Sequence, residues 1–118
     1  MLDTLFDLAS RRPQVFRARV AACLVDKRGR VISVGFNSHK THPLAKRFKP
    51  LSGHLHAEMD AILKARREGF DDWSRATLYV ARARKVGVSG PFAMALAKPC
   101  PGCRDMLKVF GITRVIHT

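Results

Sequence analysis

The segment RVAACLVDKRGRVISVGFN, residues 19–37, holds two apolar arms around a short polar turn. A near-continuous apolar run in each arm predicts strands covered on both faces, because a strand with one wet face alternates instead. Gly29, in the turn from Asp26 to Arg30, is free to take the positive φ that a tight reversal requires. Such a hairpin needs a sheet with helices on both sides.

The rest of the chain supplies them. Leu2, Leu5, Phe6 and Leu8 share one helical face, and Pro13 ends that helix or starts the next segment. A second helix is expected from His56 to Glu68, with Ala57, Ala61, Ile62 and Ala65 inward and Gly69 as its C-terminal cap. RATLYVARAR reads as a strand, a further helix runs from Cys100 to Gly111 with Met106, Leu107 and Phe110 inward, and TRVIHT is a last strand. Residues 38–55 and the stretch KVGVSGPFAMALAK read as irregular. The order is helix, strand, strand, helix, strand, helix, strand. Its second half alternates, which implies right-handed crossovers and parallel pairing. The expected class is α/β: a three-layer α/β/α fold around a compact mixed sheet of about four strands. At 118 residues this is one domain, 1–118, with an N-terminal helix over 1–13 and a core over 14–118.

Charge narrows the partners. Lys and Arg number 22 against nine acids, a net charge of +13. No acid stands between Asp26 and Glu58, or between Asp72 and Asp105. A field of this sign attracts nucleotides, nucleic acid or acidic surfaces. No apolar run approaches membrane-spanning length, so no membrane partner is expected. The N-terminus lacks the pattern of an export signal. With an odd count of three cysteines, this points to a reducing, cytoplasmic location without disulfides. Cys23 reads as a small buried hydrophobe in its strand.

Cys100 and Cys103, in AKPCPGCRD, raise three readings. A dithiol redox couple belongs early in a fold, after a first strand, and this pair lies near the C-terminus. A closed structural zinc site needs four protein ligands, and no second close pair exists. An open zinc site needs only the two thiolates, one histidine and a water. His39 and His117 read as surface residues. His56 stands at a helix start in HLHAEMDAI, two residues before Glu58, a carboxylate on an Ala-rich inner helix that needs a partner. Residues two apart diverge in mid-helix, so His56 and Glu58 converge only if His56 lies where the chain enters the helix. The later helix likewise begins at Cys100, and helix N-termini lower thiol pKa values.

HAE followed by PCPGC resembles the signature of the zinc-dependent cytidine/deoxycytidylate deaminase superfamily, H-x-E then P-C-x-x-C. VISVGFN and GITRVIHT are similar to the family's second strand and to the strand after its cysteine helix, so the resemblance covers residues 18–118. It implies a cytidine deaminase-like fold, zinc (Zn2+) held by His56, Cys100 and Cys103, and Glu58 as proton shuttle. Water activated by the metal would be the nucleophile that converts cytosine to uracil. It further implies that Asn37 hydrogen-bonds the substrate and that the backbone of Ala57 helps to hold the base.

The two acid-free segments favour an anionic substrate, deoxycytidylate or cytidylate. Lys40, Lys46, Arg47 and Lys49 are candidate phosphate ligands, Phe48 a candidate stacking ring, and His42 a candidate substrate contact or turn residue. The alternative is a deaminase of cytosine or adenine in single-stranded DNA or RNA, which needs a basic groove with aromatics. A third reading, from another class, is an inactive nucleic-acid-binding module with a vestigial zinc site; the intact Glu58 argues against it. Phe92, Met94 and Leu96 wall the base pocket, pack a neighbouring subunit of a homo-oligomer or fill core, the last two being the commoner outcomes.

Overall fold

The computed structural model describes residues 1–11, 18–48, 55–87 and 90–118. Lys49, Pro50, Gly53 and His54 fall outside these. The elements are α1 (Leu2–Ser10), β1 (Ala18–Val25), β2 (Val31–Phe36), α2 (Pro43–Phe48) and α3 (Ala57–Arg67). A 3-10 turn (Trp73–Arg75), β3 (Thr77–Lys85), β4 (Phe92–Ala95), α4 (Pro101–Phe110) and β5 (Arg114–His117) complete them.

The five strands form one mixed sheet. β1 lies between β2 and β3, antiparallel to both. The far edge of β3 is divided: Thr77–Val80 pair with β5 in parallel, and Arg82–Lys85 pair with β4 antiparallel. The expected parallel crossover is therefore the β3–α4–β5 unit. The sheet has one strand more than the sequence reading counted, because β4 arises inside the stretch read as irregular. Similarly, α2 lies inside the segment read as an open loop.

Alternate sheet faces build two cores. Ala22, Leu24, Leu78 and Val80 pack with Met59, Ala61 and Ile62 of α3 and with Cys103, Met106 and Leu107 of α4. Ala21, Cys23, Val25, Ala81 and Ala83 pack with Leu5 and Ala9 of α1. This gives the α/β/α layering, and Cys23 is the buried hydrophobe expected. Leu8, assigned to the buried face of α1, is exposed; Ala9, four residues after Leu5, takes its place. β1 is covered on both faces, whereas β2 alternates in burial because it is the sheet's outer strand. At the turn between them, Asp26 accepts from the backbone amides of Arg28 and Arg30, both at 2.9 Å, and Gly29 takes φ +81°.

β2 is clamped to α3 by close approach. A side chain at Gly35 would collide with the Ala57 carbonyl and the Ala61 amide. The Ser33 hydroxyl donates to the Ala61 carbonyl at 2.7 Å. From α3, the Asp60 carboxylate accepts from the Phe36 amide at 3.0 Å and the Lys64 ammonium donates to the Val34 carbonyl at 3.1 Å. Among the described residues, no helix is long and apolar enough to cross a membrane.

Candidate metal centre

α3 and α4 start at the same place, and each begins with a metal-ligand type of residue. His56 is the N-cap of α3, with extended backbone at φ −80°, ψ 159°. Cys100 is the N-cap of α4, at φ −68°, ψ 165°, and Pro101 supplies a first helical position that needs no donor. Cys103 follows three residues on, so both sulfurs share one helix face. The required entry geometry of His56 is thus present, and it lets His56 and Glu58 serve one site.

His56 Nδ1 lies 3.4 Å from Cys103 Sγ and 3.7 Å from Cys100 Sγ. The three ligand atoms all fall within 4.8 Å of one another. Tetrahedral zinc, with its usual Zn–S and Zn–N bonds, sets nitrogen and sulfur about 3.6 Å apart. The observed pair of distances brackets that figure, so the donor set fits zinc in both type and spacing. An imidazole that ligates through Nδ1 keeps its proton on Nε2. His56 and Cys100 are only partly buried, whereas Cys103 is buried. Three protein ligands with a partly open side leave the fourth position that a catalytic zinc site needs.

Glu58, at the second position of α3, is 5% exposed. Burial pushes its carboxyl above the ordinary value, while hydrogen bonds from its own backbone amide and from the Cys103 side chain pull the other way. Burial likewise raises the Cys103 thiol, and the negative charges of Glu58 and Cys100 add to this. A cation among these groups reverses that electrostatic balance and favours thiolates.

The segment after β2 runs beside the approach to His56. The Ser38 amide donates to the Leu55 carbonyl at 3.1 Å, and the Leu55 amide donates to the Lys40 carbonyl at 3.0 Å. Asn37 extends the β1–β2 ladder: its Oδ1 accepts from the Val20 amide at 2.9 Å. Lys40 is exposed and His42 partly buried, with the His42 carbonyl accepting from the Lys46 amide at 3.1 Å. Arg47 is exposed on α2, its guanidinium 5.0 Å from the Phe48 ring centroid, and that ring packs against the main core. Ala57 is fully buried under Gly35. Phe92 packs into the α1-side core, away from the metal cluster, and so does not wall a pocket there; Met94 and Leu96 are exposed. The sequence reading missed the Gly35–Ser33–Asp60–Lys64 clamp that sets the start of α3. A glycine amid the β2 apolar run, a mark of close backbone approach, was its one available signal.

An α/β/α sheet whose two helix N-termini present a His/Cys/Cys set beside a buried carboxylate defines a zinc protein of the open, three-ligand class. The chain belongs to the cytidine and deoxycytidylate deaminase family: the model of that family's zinc-binding region matches residues 1–118. Among solved structures, a glutamate-to-glutamine mutant of cytidine deaminase from Mycobacterium tuberculosis shares the fold, with a TM-score of 0.54 and 21% identity over 100% of this chain and 82% of that one. No curated protein matches the chain by sequence.

Proposed function

We propose that the protein is a zinc-dependent hydrolytic deaminase that converts cytosine to uracil in a small nucleotide, deoxycytidylate or cytidylate. The observation that carries this reading is the convergence of His56, Cys100 and Cys103 with Glu58 buried against Cys103. Family membership supports the deaminase class. Residues 1–118 act as a single catalytic domain, and three free cysteines fit a reducing cytoplasm.

Zinc, when bound, supplies the Lewis acidity that lets water act as a nucleophile near neutral pH. Glu58 does the proton work. It accepts the proton that water loses on attacking the ring carbon bearing the amine. It delivers that proton to the ring nitrogen, and then assists departure of ammonia. A carboxyl whose proton affinity is raised by burial is suited to act as base and then acid. Asn37, fixed at the end of β2 by the bond its Oδ1 accepts from the Val20 amide, contacts the sugar or base. The Ala57 backbone borders the base, and Lys40, His42 and Arg47 line the approach.

The deciding experiment is ammonia release by zinc-loaded protein from cytidine, cytidylate, deoxycytidylate, adenosine and short oligonucleotides. Turnover of a cytosine mononucleotide supports the proposal; no turnover of any cytosine compound overturns it. The net charge of +13 favours deaminase action on single-stranded nucleic acid as second reading. That reading requires oligonucleotide binding that weakens steeply with salt.

A further inference from the structure

The sheet row next to the metal cluster contains an arginine that the family motif does not include. Gly35 touches α3 at Ala57, so the row Gly35–Ala22–Val80 lies under the first turn of that helix. Side chains two residues along a strand return to the same face. The next row on that face is Asn37, Val20 and Arg82. Asn37 is joined to Val20 by its Oδ1 and by its amide, which donates to the Val20 carbonyl at 3.3 Å, and Val20 is in register with Arg82. Val20 packs against the core shared with α3 and α4. α3 points its N-terminus, with His56 and Glu58, toward this row.

Arg82 is partly buried, and its Nε is sealed from solvent without a hydrogen-bond partner. Its backbone amide donates to Thr118 Oγ1 at 3.2 Å, but among the described residues its guanidinium meets no carboxylate, carbonyl or ring. Arg19, whose Nε is also orphaned, lies on the other face and is otherwise occupied: it donates to the Ser10 carbonyl and covers the Phe92 ring. Arg84, two residues beyond Arg82 on the same face, is exposed and extends the positive strip outward. A sequestered guanidinium donor with nothing to bind is rare in a folded protein. Two strand spacings, about 10 Å, separate the Asn37 and Arg82 backbones, which suits a nucleotide with sugar at one end and phosphate at the other.

Building on the deaminase reading, we infer that Arg82 is the phosphate-recognition residue of the substrate site and sets preference for a mononucleotide over a nucleoside. Its planar fork pairs with two phosphate oxygens, with Arg84 strengthening the field at the rim.

The test is equilibrium binding, which needs no turnover. Deoxyuridine, deoxyuridylate and a trinucleotide with a central deoxyuridine are titrated calorimetrically into zinc-loaded wild type and Arg82→Gln. Wild type is expected to bind deoxyuridylate at least about tenfold more tightly than deoxyuridine, the scale of a charged hydrogen bond. Arg82→Gln erases that gap and leaves deoxyuridine affinity within about twofold. Should Arg82→Gln misfold, Arg82→Met keeps the buried stem and must erase the same gap. No gap in wild type, a gap that survives in the variant, or a preference that appears only with the trinucleotide overturns the inference. Because binding is read apart from ammonia release, loss of the deaminase reading and loss of the Arg82 assignment give different results.

Discussion

Gly35→Ala tests whether the clamp between β2 and α3 holds the site in register. The added Cβ would stand 2.9 Å from Ala61 Cα and nearer still to the Ala57 carbonyl and the Ala61 amide. Carbon atoms pack at about 3.5 Å or more, so α3 must retreat by more than about half an ångström. All three obstacles are backbone, so no rotamer change relieves them. Overpacking of this kind costs about 1–3 kcal/mol. For a chain of 118 residues, an unfolding entropy near 2.1 cal/mol/K per residue turns that into a Tm drop of about 4–12 °C. The shift falls on the turn that carries His56 and Glu58. Misplacement by about 1 Å can cost a hundredfold in rate, so a loss of at least about tenfold in kcat/KM is expected here. Calorimetric melting and ammonia release measure the two effects. Gly29→Ala is the control: its φ of +81° strains an alanine, but nothing lies within 4 Å, so it should lower Tm without changing kcat/KM per folded molecule. A Gly35→Ala protein with unchanged Tm and activity would refute the clamp.

Glu58→Gln should retain stoichiometric zinc by elemental analysis yet lose at least about a hundredfold in turnover; near-normal turnover would remove Glu58 from the mechanism. Cys100→Ser and His56→Ala should each fold with zinc well below one equivalent, and full occupancy would contradict the ligand assignment. The metal-free protein should show a pH signature. Burial raises the Glu58 carboxyl in the folded state, so the folded protein binds more protons than the unfolded one as pH climbs above the ordinary value of 4.5, and stability falls. Metal-free Glu58→Gln should therefore equal wild type in urea unfolding near pH 3 and exceed it near pH 8; the same difference at both pH values would refute the buried-carboxylate argument.

The parts legible in the sequence were those set by local chemistry. His56 as helix entry, the Pro101-started cysteine helix and the Asp26–Arg30 turn all follow from residue types at fixed spacing. β4 was not legible. Its residues, Phe92–Ala95, follow Gly87, Gly90 and Pro91, and the strand exists through non-local pairing with Arg82–Lys85. The six residues of α2 were hidden by their charge and by the prolines around them. β2 read as doubly covered because apolar composition does not reveal that a strand stands outermost. Arg82 showed only as one more charge in a basic run, since its significance comes from the row it shares with Asn37.

Asp60 and Lys64 reach over β2 and occupy the Phe36 amide and the Val34 carbonyl, the groups that a docking backbone would seek. At these two positions the border of the sheet is already engaged, which makes it a poorer template for another polypeptide. A fibril seed or a misfolded neighbour extending the sheet here would have to displace the Asp60 and Lys64 side chains, and those bonds help to hold the helix that carries His56 and Glu58.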